Sequence, residues 1–451
     1  MTLAVAPIAP IGSHQALIFL LQLGLLLAVA LVLGRLAARV GMPAVVGELT
    51  AGVLLGPSLL GHAVPGLSAW LLPQDSGQIH LLDAVGQVGV LLLVGLAGMH
   101  IDLKLVRRKG ATAAWVGAGA LLVPLGLGIW LGFLLPASLA ADGADRSVFA
   151  LFLGVAMCVS AIPVIAKTLL EMRLLHRNIG QLVISAAALD DIVGWLLLAV
   201  VSAMATTGLH AGDVALPVGY LVAVIVFAVV IGRPVVRHTL RLAYRSADQG
   251  VSVAAIVVLL LLSAAGTQAL GMEPILGTFL CGILIGSSGE LDRSRLAPLR
   301  TFVMAVLAPI FFATAGLRMD LTALRQPAVL VSALAVLAIA IGGKFAGAYV
   351  GARIGRLGHW DGLALGAGLN ARGIIEVIVA MVGLRLGVLN TATYTIVVLV
   401  AVVTSLMAPP TLRYAVRRIA VTNDEIEREK LFGGAHGEAV LASPRSGKEF
   451  T

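Results

Sequence analysis

Long runs of apolar residues, separated by short loops that carry arginine and lysine, follow one another along nearly the whole chain. Most of these runs reach the roughly 20 residues that an α-helix needs to cross about 30 Å of hydrocarbon. The pattern therefore predicts an all-α polytopic membrane protein with about 13 transmembrane helices. The predicted spans, numbered in chain order, lie near residues 16–34, 43–60, 82–99, 112–135, 147–169, 180–204, 214–236, 250–270, 274–287, 301–317, 327–352, 362–382 and 392–412.

The composition agrees with a lipid environment. Of the 451 residues, 59% are hydrophobic and 12% are charged, whereas a soluble domain has about 25% charged residues. This balance excludes a water-soluble enzyme, and it excludes disorder over most of the chain. The net charge of +8 comes from loops between apolar runs and not from a basic face, so no nucleic acid is predicted as a partner.

No residue pattern points to a cofactor, or to a metal other than a transported monovalent cation. The two cysteines, Cys158 and Cys281, lie inside apolar runs and are predicted to be small buried hydrophobes. The histidines form no cluster with them at metal-ligand spacing. The enzyme motifs HExxH and GxSxG do not occur in the sequence, so no enzyme is predicted.

Basic residues are unevenly divided between the two sides of the predicted bundle. One set of loops carries most of the arginine and lysine residues that flank the spans, and the alternate set carries only a few. Because basic loops stay in the cytoplasm, residues 1–14 are predicted to lie on the extracellular side of the cytoplasmic membrane. Residues 413–451 are predicted to form a flexible cytoplasmic tail, because they are polar and contain glycine and serine.

Two segments of the chain resemble each other. Residues 42–58 read MPAVVGELTAGVLLGPS and residues 272–288 read MEPILGTFLCGILIGSS, so that three glycines align. A second pair, GMHIDL at 98–103 and GLRMDL at 316–321, follows in the same order. Seven spans separate the members of each pair, and an odd separation forces opposite orientations in the membrane. The chain is therefore predicted to be an inverted repeat, in which spans 1–6 match spans 8–13 and span 7 is a linker.

Two matched spans, the fifth and the twelfth, carry helix-breaking residues at mid-depth. Span 5 contains Pro163, which removes one helical N–H and clashes with the preceding turn. Span 12 contains Asn370 and Gly373 within GAGLNARG. In inverted-repeat transporters the binding site lies where matched helices are broken, and carbonyls freed there need water or a cation. The substrate site is predicted at these breaks.

Three ionisable residues lie deep inside the apolar spans. Asp190 and Asp191 are adjacent in span 6, and Lys344 lies well inside span 11. A charge at mid-bilayer costs about 2.5–3.5 kcal/mol on insertion scales, so such residues are usually functional. Adjacent carboxylates repel each other, and their site can hold a proton or a monovalent cation but not both. The structural alternative for the aspartates is a buried ion pair. The alternative for Lys344 is a side chain that extends to the membrane–water interface.

The remaining intramembrane charges are predicted to have structural roles. Arg372 and Glu376 lie four residues apart on span 12, a spacing that forms an ion pair able to lock the broken helix to a neighbour. Glu48 in span 2 aligns with Thr278 in the repeat, so the symmetry does not require a charge there. A structural or gating role is predicted for Glu48.

The chain resembles the monovalent cation/proton antiporter superfamily. The second cation/proton antiporter family, with plant cation/H+ exchangers and bacterial potassium efflux antiporters, is the branch that it resembles. The similar segments extend over the whole membrane region. They are VVGELTAGVLLGPSLLG, LLLVGLAGMHIDLK, VSAIPVIAKTL, ALDDIVGW, PIFFATAGLRMDL and LNARGIIEVIVAMVGLRLGVLN.

The resemblance implies a division of the transmembrane region, residues 15–412, into two domains. A core domain would contain the spans near 112–204 and 327–412, with spans 5 and 12 crossing as discontinuous helices. A dimer domain would contain the spans near 16–99 and 250–317, with the linker span at 214–236 between them. The family also implies a homodimer.

The same resemblance implies roles for individual residues. Asp191 would bind the cation and the proton in turn, and Asp190 would pair with Lys344. Ser160 and the carbonyl of Ile162 would lie where the unwound helix approaches the ion. Many members have asparagine or glutamine at the position of Asp190, and paired aspartates with a lysine resemble the electrogenic antiporters, which exchange two protons for one cation.

The predicted function is secondary-active exchange of Na+ or K+ for protons, by alternating access at an intramembrane aspartate. Two alternatives stay open. One is a potassium efflux protein with channel-like or regulated flux, which would conduct potassium without proton coupling. The other is an exporter of organic ions or drugs on the same scaffold, which would need a wide cavity rather than paired carboxylates.

Overall fold

Helices make up almost all of the computed structural model, which describes residues 12–40, 42–73, 76–99, 110–161, 164–165, 168–169, 172, 174, 177–207, 215–246, 248–270, 272–289, 293–423 and 425. Within these ranges no β-strand forms, and one isolated bridge joins Ala140 to Leu389. The α-helices, in chain order from α1 to α18, are Ser13–Arg39, Ala44–Leu55, Leu60–Ala63, Pro65–Leu71, Ser76–Met99, Gly110–Leu134, Arg146–Cys158, Asn178–Thr207, Ala215–Phe227, Arg233–Tyr244, Gln249–Ala269, Pro274–Ser287, Arg293–Phe302, Ala308–Leu317, Pro327–Ile354, His359–Leu369, Ile374–Arg385 and Thr391–Val416.

The predicted all-helical membrane fold is confirmed. In the part of the chain that the structure describes, ten helical segments are long and apolar enough to cross a membrane. Two of them are continuous through π-helical turns at Ala228–Gly232 and Val303–Leu307. The other three predicted spans correspond to the short helices α7 and α12 and to the interrupted pair α16 and α17.

The helices form two groups by contact. Helix α6 packs against α7 and α15, α8 packs against α6 and α7, and α18 packs against α16 and α17. In the other group α2 packs against α1 and α14, and α12 packs against α5 and α11. The first group contains the interrupted helices, and it therefore carries the residues of the predicted site.

Matched glycines hold the second group together in the same way in both halves of the chain. A Cβ on Gly47 of α2 would overlap the carbonyl of Leu33 on α1, and one on Gly277 of α12 would overlap the carbonyl of Ser263 on α11. The backbones therefore touch directly, which small residues permit between membrane helices.

The second pair of aligned glycines joins the two halves. A Cβ on Gly52 of α2 would overlap the carbonyl of Ala313 on α14, and a Cβ on Gly282 of α12 would overlap the carbonyl of Gly95 on α5. Helices α5 and α14 end with the first two residues of the second pair of matched sequences, Gly98–Met99 and Gly316–Leu317. Gly52 and Gly282 thus each meet the corresponding helix of the other half. The inverted repeat itself stays a prediction.

We expect Gly52→Ala to destabilise the protein by about 1–3 kcal/mol, the usual cost of overpacking. The obstructing atom is a backbone carbonyl of Ala313 and cannot rotate away. Gly24→Ala on α1 is the matched control, because a Cβ there meets nothing within 4 Å, and alanine favours a helix. Thermal unfolding in detergent measures both variants; equal melting temperatures would show that the α2–α14 contact can relax.

The segment after α18 contacts the beginning of α8. The carboxylate of Glu425 accepts the backbone N–H of Asn178 at 2.6 Å, and its Oε1 lies 3.2 Å from Nε of Arg177. A guanidinium nitrogen of Arg177 also donates to the carbonyl of Ile419 at 3.1 Å. A carboxylate at a helix N-terminus is favourable because the helix dipole is positive there. The predicted tail therefore begins with a docked segment, and residues 426–451 lie outside the described residues.

This contact is expected to depend on pH. Burial raises the pKa of Glu425, but the N–H groups of Thr422 and Asn178 and the Arg177 guanidinium outweigh it, and the pKa lies below the usual 4.5. A depressed pKa means that the contact stabilises the folded state above the unfolded pKa and is lost as the pH falls through the folded pKa.

Glu425→Gln should therefore lower the melting temperature at pH 7, and the difference from the wild type should narrow as the pH approaches 4. Asp142→Asn is a control on an exposed carboxylate. If the difference in melting temperature between wild type and Glu425→Gln does not change with pH, the charge of Glu425 does not hold the segment after α18 against α8.

Candidate functional site

Two interrupted helices meet inside the first group. Helix α7 ends at Cys158, and the backbone turns to an extended conformation at the next residue. The hydroxyl of Ser160 lies 3.0 Å from the carbonyl oxygen of Leu369, the last residue of α16. The N–H of Ala161 donates to the carbonyl of Ala371 at 3.2 Å. The non-helical segments of the fifth and twelfth predicted spans are therefore in direct contact.

In span 12, both predicted helix-breaking residues, Asn370 and Gly373, lie at this contact. Asn370 follows α16 and is fully buried, and Gly373 precedes α17. Gly373 has φ 158° and ψ −108°, a conformation that other residues rarely adopt. On the side of span 5, Ile162 and Pro163 lie outside the described residues.

The acid pair of span 6 lies beside the contact. Asp190 is fully buried and Asp191 is 3% exposed, both in the middle of α8. The ammonium of Lys344 donates to Oδ2 of Asp190 at 2.7 Å, and it also donates to the carbonyl of Cys158. The hydroxyl of Ser160 lies 2.8 Å from the same Asp190 oxygen. A serine hydroxyl has one proton, which here is shared between this carboxylate and the carbonyl at the end of α16.

The geometry gives the two aspartates different surroundings. Successive residues of a helix point about 100° apart, so Asp190 and Asp191 cannot both face Lys344. Lys344 is fully buried and does not extend to a membrane interface. A buried ion pair overcomes its desolvation only with good geometry and further hydrogen bonds, and the pair of Lys344 with Asp190 has both.

The second buried ion pair anchors the broken helix. Nη1 of Arg372 lies 3.2 Å from Oε1 of Glu376, and both side chains are almost completely buried. The guanidinium also donates to the carbonyls of Ala156, Met157 and Ala340, at 3.1, 2.6 and 2.9 Å. Arg372 thereby ties the start of α17 to the end of α7 and to α15.

Both buried cations, Lys344 and Arg372, also donate to the last carbonyls of α7. The sequence analysis did not predict these contacts. The last carbonyls of an α-helix have no partner within it. In α7 the carbonyls of residues 156–158 are bound by Arg372 and Lys344. The sequence pointed only to carboxylates as partners of these cations. A cation near an interrupted helix was the available signal, because helix C-termini attract positive charge.

A cleft leads from α2 to the contact between the interrupted helices. Its cavity has a volume of about 10 Å³, and its lining is almost entirely apolar. Glu48 is on α2 and packs against Gly34 of α1. The lining residues are Pro43, Val45, Val46, Leu49, Val164, Gly373, Ala401, Val402 and Ser405.

A family model described as "Sodium/hydrogen exchanger, transmembrane" matches residues 25–418. The Na(+)/H(+) antiporter NhaS4 of Synechocystis sp. is 33% identical over 402 residues, which are 88% of this chain and 97% of that protein. Cation/H(+) antiporter 20 of Arabidopsis thaliana is 30% identical over 455 residues, 94% of this chain and 53% of that protein. The chain thus spans nearly all of the first relative and about half of the second.

The solved structure of the sodium proton antiporter MjNhaP1 from Methanocaldococcus jannaschii has a similar fold. Its TM-score is 0.68 at 15% sequence identity, and the match covers 89% of this chain and 99% of that one. The family match extends from α1 to just beyond α18 and includes every element of the site. The resemblance to cation/proton antiporters is confirmed, and the chain belongs to the sodium/hydrogen exchanger family of transmembrane proteins.

Proposed function

We propose that this protein is a secondary-active antiporter that exchanges Na+ or K+ for protons at Asp191. The observation that carries the proposal is the buried acid pair on α8, in which Asp190 pairs with Lys344 and Asp191 is the next residue of the helix. The names of the relatives support the same class of reaction, because NhaS4 is named for Na+ and H+ and antiporter 20 for a cation and H+.

A single carboxylate such as that of Asp191 suits a site that binds one monovalent ion at a time. Among the described residues, buried charges of both signs lie around the crossing segments: the cations Lys344 and Arg372, and the carboxylates of Asp190, Asp191 and Glu376. A cation and a proton bound at Asp191 each add one positive charge, so either one neutralises this carboxylate. A bare carboxylate crosses hydrocarbon at a high cost, so only the loaded site changes sides easily. Cation and proton therefore compete for Asp191 and are exchanged.

Alternating access would come from movement of the first helix group, as a core domain, against the second, as a dimer domain. Arg385 at the end of α17 donates to Oε1 of Gln87 on α5 at 3.0 Å, and it pairs with Glu273, which precedes α12. This contact between the groups lies 12 residues along α17 from Gly373, about 18 Å at 1.5 Å per residue. The cleft beside Gly373 is thus separate from the end of the helix bundle at which Arg385 contacts Gln87 and Glu273.

The wider arrangement follows from the same proposal. Ten long helices and three short or interrupted ones would make 13 spans, with the fifth and twelfth crossing. The basic loops would place the cleft, the beginning of α8 and the tail on the cytoplasmic side of the cell membrane. The contact of Arg385 with Glu273 would then close the outer side, and two copies would associate through the dimer domain.

The size of the cleft argues against an organic substrate. Sites for drug-sized molecules usually have about 300–1,000 Å³, whereas the cavity beside the crossing segments has about 10 Å³, room for about one water molecule. A dehydrated monovalent cation needs far less space than a drug-sized molecule. Channel-like potassium efflux would differ from antiport in its coupling, because the cation would then move without a countermoving proton.

Flux in proteoliposomes tests the proposal. Purified full-length protein is reconstituted with a pH-sensitive dye inside, and Na+, K+ or choline is added outside. We expect Na+ or K+ to drive proton movement and choline to drive none. Exchange of two protons for one cation would also respond to voltage, at about 2.3 kcal/mol per 100 mV for each net charge. Cation uptake without proton movement would overturn the proposal.

A further inference from the structure

The amide side chain of Asn370 is buried without a hydrogen-bond partner at the contact between the interrupted helices. Asn370 is fully buried, and neither its Oδ1 nor its Nδ2 has a partner within the described residues. Only its backbone is engaged, since its N–H donates to the carbonyl of Gly366 at 3.0 Å. A buried amide with neither atom bonded is unfavourable, and native proteins rarely retain one without a reason.

The chain on both sides of Asn370 is fixed to the other interrupted helix. The preceding residue, Leu369, offers its carbonyl to the hydroxyl of Ser160 at 3.0 Å. The following residue, Ala371, accepts the N–H of Ala161 at 3.2 Å. Because the same Ser160 hydroxyl lies 2.8 Å from Asp190, Asn370 stands one peptide bond from a hydrogen-bond chain that ends at the acid pair.

Another asparagine at a helix end, Asn390, has an amide with both atoms hydrogen-bonded. Asn390 begins α18, where its Oδ1 accepts the N–H of Thr393 at 3.0 Å and its Nδ2 donates to the carbonyl of Ser138 at 2.7 Å. Its amide therefore has a structural function. At Asn370 the helix end is held by the backbone alone, so the amide is not needed as a cap.

We propose that Asn370 is a ligand of the transported cation, with Oδ1 replacing a water molecule of its hydration shell when the ion reaches the acid pair. This proposal rests on the proposed function. An amide oxygen is a suitable ligand for a hard cation, and it adds no charge. It therefore stabilises the bound cation without binding a proton, so it favours the cation in the competition for the aspartate. A site of this kind sets cation affinity and preference rather than proton affinity.

Replacing Asn370 should change the KM for the cation more than the maximal rate. In proteoliposomes at one fixed pH, we expect Asn370→Ala to raise the KM by about tenfold, the loss of one strong polar contact to a charge. The ratio of KM values for Na+, K+ and Li+ should change as well, because the lost ligand contributes differently to ions of different size. Asn390→Ala is the matched control, and it should lower thermal stability but leave KM and the ion preference within about twofold.

Asn370→Leu separates a ligand from a structural polar group. If the amide only occupies space, an apolar side chain should be neutral or stabilising, and wild-type KM and ion preference in this variant would overturn the proposal. If neither variant folds, Asn370→Gln keeps the amide on a longer side chain, and an unchanged ion preference in that variant would also overturn it. Failure of the wild-type protein to exchange cations for protons in the same assay would instead refute the proposed function.

Discussion

Asp191→Asn is expected to reduce cation/proton exchange to the level of liposomes without protein, while the protein stays folded. Asparagine has nearly the same size as aspartate, but it carries no charge and takes up no proton between pH 5 and 9. Asp190 cannot replace Asp191, because its carboxylate is bonded to Lys344 and Ser160.

The measurement is dye-reported proton flux driven by Na+ or K+, with the melting temperature as a check on folding. Asp145→Asn is the matched control. Asp145 caps the N-terminus of α7, and asparagine caps a helix about as well as aspartate does. This control should transport at the wild-type rate. Wild-type flux in Asp191→Asn would refute the assignment of Asp191 as the exchange site.

Asp190→Asn distinguishes the roles of the two acids. This change leaves Lys344 without its carboxylate partner, while Asp191 keeps its acid. We expect measurable exchange with an altered pH dependence and lower thermal stability, because an unpaired buried cation is costly. Loss of exchange in Asp190→Asn with normal exchange in Asp191→Asn would mean that the two aspartates have the opposite roles.

The apolar pattern predicts where helices lie, but it does not predict a helix end that is set by tertiary contacts. The predicted spans 112–135 and 327–352 agree closely with α6 and α15. Span 5, residues 147–169, was predicted to be broken at Pro163, and α7 ends before that residue, at Cys158. The carbonyls at the end of α7 are bound by side chains from α15 and from the start of α17, and contacts so distant in sequence leave no local signal.

Charge in an apolar run identifies a site, but it does not identify every partner. The sequence drew attention to Asp190, Asp191 and Lys344 because burial of charge is costly. Which aspartate meets Lys344 depends on the rotation of α8, which the residues alone do not specify. Asn370 was interpreted only as a helix break, because an unsatisfied amide is visible only when its surroundings are known.

Arg372→Leu is expected to cause the largest loss of stability, about 3–5 kcal/mol, the usual cost of removing one partner of a buried ion pair. The change leaves Glu376 as a buried charge without its cation, and it leaves the carbonyls of Ala156, Met157 and Ala340 without a donor. Thermal or denaturant-induced unfolding in detergent measures the loss.

A second variant at Arg372 and a control at Arg353 test whether the charge or the shape of the Arg372 guanidinium stabilises the protein. Arg372→Lys keeps the charge near Glu376 but lacks the planar fork that reaches several carbonyls, so we expect a loss between wild type and Arg372→Leu. Arg353→Leu is the control, because Arg353 is exposed at the end of α15 and donates to Leu357 in its own loop; its loss should stay below about 1 kcal/mol. If Arg372→Lys is as stable as the wild type, the charge alone anchors α17. If Arg372→Leu is also as stable, the ends of α7 and α17 are held together by packing, and Arg372 does not anchor the broken helix.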